Sequence, residues 1–131
     1  MFPFSVSTLH NCIKRGCREE LGYLTCNKRR PISQSKVEFP FIDFSYIESG
    51  DIDELWYEDR RETVREQVDR GYHFMADFVR LRPENEIAIV SHSAFLFNLL
   101  NAAIDCGEDE DLRAWFLTSE VRSMKVTFHS S

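Results

Sequence analysis

The chain has 131 residues, 43% of them hydrophobic and 29% charged, which is typical of one globular domain and argues against a disordered chain. Its net charge of −6 argues against a dedicated nucleic-acid binder, and no run of residues is apolar and long enough to span a membrane. The four cysteines lack the spacing of a disulfide framework and the N-terminus lacks the basic region of a signal peptide, so we expect a cytoplasmic protein.

The first part of the chain is predicted to be irregular. Residues 31–57 carry several aromatic side chains without a helical or strand repeat. A loop of that length in a compact domain usually covers a functional site. Just before it, residues 27–30 form the basic run Asn-Lys-Arg-Arg. With Lys36, this run is a candidate site for a phosphate-rich ligand, and the alternative is a solvated basic loop in an acidic protein.

A long helix is predicted over residues 60–81. Glu66 and Arg70 are spaced to pair across one turn of its exposed face. Pro83 is expected to end the helix, because proline cannot continue it. Apolar residues recur at intervals of three and four positions, as on one helical face, at Val64, Val68, Tyr72, Met75 and Val79.

The second half of the chain predicts alternating strands and helices. Residues 86–90, Glu-Ile-Ala-Ile-Val, are typical of a central strand in a covered parallel sheet, because they are apolar on both faces. Residues 94–104 are apolar nearly all round and predict a buried helix. Residues 122–130 alternate in polarity and predict a final strand. This order favours a layered α/β domain, with residues 1–131 forming one domain.

His92 follows the predicted strand directly and is the first candidate for function. In an open α/β sheet, ligands bind beyond the carboxyl ends of the strands. Ser93 is placed to cap the next helix, whose first N–H groups attract anions. His92 and Ser93 therefore predict a phosphate or oxyanion pocket, and the alternative is a core histidine at a strand end. A serine hydrolase is disfavoured because the glycines of a nucleophile elbow are absent.

Two other groups of residues favour structural interpretations. His10, Cys12, Cys17 and Cys26 include no Cys-x-x-Cys pair, so we predict thiols in a reducing compartment rather than a zinc site. Glu120 and Arg122 lie two positions apart, so on a strand both would face one side, which predicts an exposed ion pair. We expect neither a metal nor a cofactor.

The motifs taken together resemble the histidine phosphatase superfamily, in particular its phosphoglycerate mutase-like proteins. Residues 87–100 resemble the second histidine motif of that superfamily, and residues 17–22, Cys-Arg-Glu-Glu-Leu-Gly, resemble its Leu-Arg-Glu-x-x-Gly segment. Residues 60–64 and 115–126 resemble the Arg-Glu helix start and the closing Glu-x-Arg-Ser strand. The resemblance covers residues 17–128. It implies a Rossmann-like three-layer α/β sandwich, here with part of the sheet missing.

The resemblance also implies site residues. In that superfamily a histidine of an Arg-His-Gly motif accepts the phosphoryl group, a second histidine and two arginines bind phosphate, and an acid protonates the leaving group. By this resemblance His92 is the second histidine, Glu19 is the proton donor, and Arg18, which precedes Glu19, is a candidate phosphate-binding residue. The superfamily's loop after the acid covers the substrate, so the candidate substrate contacts are Lys28, Arg29 and Arg30.

The phosphoryl-accepting histidine has no counterpart, because the chain contains no Arg-His-Gly. Residues 7–11 resemble the superfamily's Ser-Pro-Leu-x-Arg segment, with Asn11 where an arginine would bind phosphate. We therefore predict a phosphoglycerate mutase-like protein whose ancestral activity is phosphomonoester hydrolysis or phosphate transfer through a phosphohistidine, impaired or inactive in this chain. The alternative is a non-catalytic module that binds phosphate or another protein.

The expected partners follow from these motifs and from the missing part of the sheet. The ligand is expected to be a small phosphorylated molecule or inorganic phosphate, and neither nucleic acid nor a membrane is expected. A missing first strand would leave residues 87–91 at an apolar sheet edge, which predicts self-association of the chain through that edge. Residues 4–7 are the segment that would fill the gap instead.

Overall fold

The computed structural model describes residues 15–47 and 50–130. In that part of the chain the α-helices are α1 (Ile32–Glu38), α2 (Val64–His73), α3 (Ser93–Asn98) and α4 (Glu110–Arg113). Helix α2 continues as a π-helical segment (Phe74–Phe78) and a 3-10 turn (Val79–Leu81), and α3 continues as a π-helical segment (Leu99–Ala103). Further 3-10 turns are Arg15–Cys17 and Thr25–Asn27. None of these described helices is long and apolar enough to cross a bilayer.

Helix α2 begins with a capping box. The Thr63 hydroxyl accepts the Glu66 N–H at 3.2 Å, and the Glu66 carboxylate accepts the Thr63 N–H at 2.8 Å. Hydrogen bonds from Arg60 and from the cap lower the pKa of Glu66 from 4.5 to about 2. Because Glu66 turns back to the cap and to Arg60, the predicted Glu66–Arg70 pair is wrong, and Arg70 pairs with Glu62 instead.

The helical stripe predicted for residues 64–79 differs from the buried face that α2 presents. Val64 and Tyr72 are 61% and 56% exposed, whereas Gly71 and Phe74 are buried. A Cβ at Gly71 would lie 2.9 Å from Leu99 Cδ1. Helix α2 therefore packs with its Gly71 face close against Leu99, in the π-helical segment that continues α3.

The apolar core lies between α2 and α3 with their π-helical extensions. Its buried residues are Phe74, Met75, Phe95 and Leu99, and Phe95 is 0% exposed. Burying side chains of this size stabilises the fold by about 1.5–3 kcal/mol each. The prediction of a buried helix near residues 94–104 is confirmed, and so is the end of the preceding helix before Pro83.

No β-strand forms within residues 15–47 and 50–130, so the prediction of a Rossmann-like three-layer α/β sandwich is wrong for this structure. Residues 86–91 and 121–130 have no regular secondary structure, and Val90 and Val121 are 90% and 86% exposed. A helix satisfies its backbone within one segment, whereas a strand needs the backbone of a neighbouring segment. Neither segment has such a neighbour among the described residues, so the predicted sheet edge at residues 87–91 is also absent.

Some predictions concern residues that the structure does not describe. The segment resembling Ser-Pro-Leu-x-Arg, residues 7–11, lies outside the described residues, and so do the gap-filling residues 4–7. His10 and Cys12 of the zinc alternative lie there as well. Within the described part, no group of three or more His, Cys, Asp or Glu side chains could hold a metal ion.

Candidate functional site

A buried ion pair between Arg70 and Glu62 holds the N-terminal segment of the described chain. The Nε and Nη2 atoms of Arg70 each donate to a Glu62 oxygen at 2.8 Å, and the two side chains are 13% and 3% exposed. Glu62 also exchanges backbone and side-chain hydrogen bonds with Leu21, at 2.7 and 3.0 Å. The Nη1 atom of Arg70 donates to the carbonyl oxygens of Gly16 and Arg18 at 2.9 and 3.0 Å. Residues 16–21 are therefore fixed to α2.

The two residues predicted to be catalytic are in direct contact. His92 Nδ1 lies 2.7 Å from Glu19 Oε2, although the two residues are distant in sequence. Next to His92, the Ser91 hydroxyl donates to the carbonyl oxygen of Cys17, which fastens the two segments together. The His92 and Glu19 side chains are 56% and 38% exposed, so a solute can reach the pair.

The start of helix α3 differs from the prediction by one residue. His92 is the N-cap, with extended backbone angles, and Ser93 is the first residue of the helix. Ser93 therefore does not cap α3, as the sequence predicted. The side chain of His92 makes no capping hydrogen bond either. Its ring is oriented instead by the Glu19 carboxylate.

Arg18 is engaged by a buried carboxylate. Its Nη1 and Nη2 atoms each donate to Asp53 at 2.8 Å, and Nη2 also donates to the Asn27 carbonyl oxygen at 2.8 Å. Burial raises the pKa of Asp53, but hydrogen bonds from Arg18 and from the Arg29 N–H outweigh it and hold that pKa below 3.8. The guanidinium predicted to bind phosphate is thus already paired with an ionised carboxylate.

Arg29 also has internal partners. Its guanidinium donates to the carbonyl oxygens of Gly50, Asp51 and Ile52 at 2.9–3.2 Å, and to that of Arg30 at 3.0 Å. These carbonyl groups belong to an irregular stretch whose polar atoms need partners. In this structure Arg29 therefore closes the loop onto itself, and its role as a substrate contact stays a prediction.

The remaining basic candidates hold weaker partners at the surface. The Lys28 ammonium lies 4.4 Å from the centre of the Trp56 ring, and Arg30 pairs with Glu38 at 2.9 Å. Exposed contacts of these kinds contribute about 0–1 kcal/mol, so an anionic ligand can displace them at small cost. Lys36 lines an open groove of about 530 Å³ beside Asp51. Glu19 and His92 are not among the described residues lining that groove.

No local sequence signal marks three residues that organise this region. Asp53 lies in a stretch predicted as irregular, and Glu62 and Arg70 are two helical turns apart in a predicted polar face. Their partners come from distant parts of the chain, at Arg18 and Leu21. A charged residue inside a polar pattern does not reveal such a partner, because the pattern reports only local spacing.

Arg122 was also misjudged from the sequence. Its Nε atom lies 2.6 Å from Glu120, but its guanidinium also donates to the carbonyl oxygens of Leu112, Ala114 and Trp115. The side chain is largely buried and stacks over the Phe116 ring at 3.8 Å. The predicted Glu120–Arg122 ion pair therefore forms, but it is partly buried rather than exposed, and Arg122 also binds the carbonyl groups that precede it in the C-terminal region.

Similar proteins are known from Arabidopsis thaliana. Phosphoglycerate mutase-like protein 1 is 43% identical over 120 residues, which is 89% of this chain and 42% of that protein. A phosphoglycerate mutase-like protein is 42% identical over 113 residues, 84% of this chain and 41% of that protein. Phosphoglycerate mutase-like protein 2 is 38% identical over 105 residues, 78% of this chain and 30% of that protein.

These similarities define the class of the chain as related to the histidine phosphatases of the phosphoglycerate mutase type, as the order of its motifs predicted. More narrowly, most of the chain is similar in sequence to proteins named phosphoglycerate mutase-like. It spans about two fifths of the length of the first two relatives and less of the third. No family model matches the chain, and no solved structure matches it.

Proposed function

We propose that this chain binds the phosphate group of a small phosphorylated molecule, or inorganic phosphate, at the Glu19–His92 pair without transferring the phosphoryl group. The observation that carries the proposal is the 2.7 Å contact between His92 Nδ1 and Glu19 Oε2. These are the two residues that the family motifs assign to phosphate binding and proton transfer, and the fold brings them together at an accessible surface.

The geometry of the pair suits an anion. With Nδ1 donating to the carboxylate, the Nε2 edge of the His92 ring is the polar group left to face a ligand. A protonated ring donates from both nitrogens, one to Glu19 and one to the ligand.

The lack of a phosphoryl acceptor argues for binding without transfer. None of the 131 residues forms an Arg-His-Gly motif, and covalent transfer needs a histidine that accepts the group. Of the other described histidines, His73 is exposed and pairs with Asp77 at 2.9 Å. His129 is exposed in the irregular C-terminal segment. No contact between either ring and the Glu19–His92 pair occurs in the described part.

The binding test follows the ring signals of His92 by NMR during a titration with inorganic phosphate at about pH 6, where an ordinary histidine is largely protonated. We expect saturable shifts at His92, with the His73 and His129 signals as internal controls that stay unchanged. The variant His92→Ala should lose the response. Signals of His92 that do not move would contradict the proposal and favour a purely structural histidine.

A second candidate function is residual phosphomonoester hydrolysis or phosphate transfer, favoured by the order of the family motifs. Incubation with an aryl phosphate separates the two candidates. We expect no turnover above a boiled control and no acid-labile phosphoprotein. Steady hydrolysis that is lost in His92→Ala would instead support the enzyme, with His10 as the next candidate phosphoryl acceptor.

A further inference from the structure

We infer that Arg70, held by Glu62, is the positioning residue that keeps Glu19 against His92. The inference rests on the proposed function, since it concerns the same pair. The sequence motifs assign no role to Arg70, whose side chain is only 13% exposed.

One guanidinium contacts both parts of the chain that supply the pair. On one side, Arg70 donates to the carbonyl oxygens of Gly16 and Arg18 at 2.9 and 3.0 Å, and more weakly to that of Glu19 at 3.4 Å. On the other side, its guanidinium carbon lies 4.9 Å from the ring centre of Phe95. Phe95 is fully buried in α3, the helix whose N-cap is His92.

Glu62 fixes the orientation of the arginine. Its two oxygens accept from Nε and Nη2 of Arg70 at 2.8 Å each, which leaves Nη1 directed at the carbonyl groups. Only the planar guanidinium fork can make this set of contacts, because a lysine ammonium is a single donor centre. Replacing Arg70 by lysine keeps the charge and removes the fork.

These contacts restrain the backbone on both sides of Glu19. Arg70 binds the carbonyl oxygen of Arg18, one residue before Glu19, and Glu62 binds the N–H of Leu21, two residues after it. With both flanks fixed, the Glu19 side chain reaches His92 Nδ1 at little further entropic cost. Without Arg70, the segment gains freedom and the Glu19–His92 contact should loosen while the apolar core persists.

The spectroscopic signature is the tautomer of the neutral His92 ring. A carboxylate acceptor at Nδ1 requires the hydrogen on that nitrogen, so ¹⁵N ring shifts should report the Nδ1–H form in the unaltered chain. The variant Glu19→Ala gives the reference for an unrestrained ring. We expect Arg70→Lys and Glu62→Gln to shift the His92 signals from those of the Nδ1–H form toward those of the Glu19→Ala variant.

Arg122→Lys is the matched control. Arg122 is likewise a largely buried arginine that pairs with a carboxylate, donates to several carbonyl groups and stacks over a phenylalanine ring. It should lose stability without changing the His92 tautomer. In the same samples, Arg70→Lys should weaken phosphate binding on the order of tenfold, the scale at which a lost supporting partner acts on a site.

Two results would overturn the inference. A folded Arg70→Lys chain whose His92 signals match the unaltered chain, while Glu19→Ala changes them, would show that Arg70 is only structural. Unfolding of both Arg70→Lys and Glu62→Gln, with Arg122→Lys still folded, would also reject the inference, because the loss of a residue that only positions Glu19 should leave the fold intact. If the His92 tautomer shifts in Arg70→Lys and Glu62→Gln but the unaltered chain does not bind phosphate, the proposed function is wrong and the positioning role of Arg70 is still supported.

Discussion

The helical region of residues 62–104 and the irregular C-terminal residues 114–130 are held in place by different interactions. Both contain apolar residues, but the first buries Phe74, Met75, Phe95 and Leu99 in one core. The second leaves Leu117 and Val121 largely exposed and is held by polar contacts of Arg122. The difference shows that apolar content alone does not order a segment. A segment must either complete its own backbone hydrogen bonds, as a helix does, or find a partner.

The largest expected effect breaks the core of the helical region. Phe95→Ala should lower the free energy of unfolding by about 3–5 kcal/mol, because it removes a fully buried ring and leaves a cavity. The matched change in the C-terminal region, Phe128→Ala, removes a partly exposed ring and should change the free energy by less than about 0.5 kcal/mol. Urea unfolding of both variants makes the comparison. Similar losses would mean that the C-terminal segment is packed as tightly as the core.

The loops before α2 differ from both regions, because an ion pair between Arg18 and Asp53 holds them together. The pKa of Asp53 lies below 3.8 in the folded chain, so the Arg18–Asp53 tie contributes stability that is present above that value and is lost as the pH falls through the lowered pKa. Asp53→Asn should therefore destabilise the chain by about 1.5–3 kcal/mol near neutral pH.

Unfolding measured at neutral and acid pH checks the sign of this effect. The difference between Asp53→Asn and the unaltered chain should shrink as the pH falls below about 4, where the carboxylate of the unfolded chain becomes protonated first, and it should vanish only below the lowered pKa of the folded chain. A difference that stays constant across that range would show that Asp53 acts through its shape rather than through its charge.

A glycine substitution tests how closely the two helical segments approach. Gly71→Ala places a Cβ about 2.9 Å from Leu99 Cδ1 and should destabilise the chain by about 1–3 kcal/mol, despite alanine's better helix propensity. At Gly50 the nearest atom to an added Cβ is Glu54 Oε1 at 3.7 Å, so Gly50→Ala should be close to neutral. Thermal melts of the two variants suffice. A stabilised Gly71→Ala chain would mean that the helices lie farther apart.

The smallest expected effect concerns self-association. The sheet edge predicted at residues 87–91 is absent, but Val90 is exposed in a segment whose backbone lacks a partner in the described structure. We expect weak association, seen by sizing chromatography with light scattering across a tenfold dilution, and Val90→Lys should reduce it. Val37→Lys, at an exposed position of α1, is the control. A strictly monomeric unaltered chain would contradict this prediction.

The sequence predicted the helices better than the sheet, for a physical reason. The stop before Pro83 and the apolar run around Phe95 are local signals that the structure confirms. Residues 86–90 carry an equally clear strand pattern, but whether a strand forms depends on a partner that no local pattern specifies.

The sequence predicted part of the candidate site, and it did so through the order of the family motifs along the chain rather than through the spacing of residues. Motif order singled out Glu19 and His92, which the fold places in contact. The supporting residues Asp53, Glu62 and Arg70 could not be found this way, because each acts through partners distant in sequence. Long-range polar contacts leave no periodic trace in a chain.

Native-state amide hydrogen exchange, at a concentration where the chain is monomeric, distinguishes a helical core with irregular flanking segments from a sheet. We expect strong protection for amides of α2 and α3 near the core, and fast exchange for residues 87–90 and 121–128. Protection of residues 87–90 equal to that of α2 would contradict this expectation, because such protection requires a neighbouring strand that the described structure does not contain.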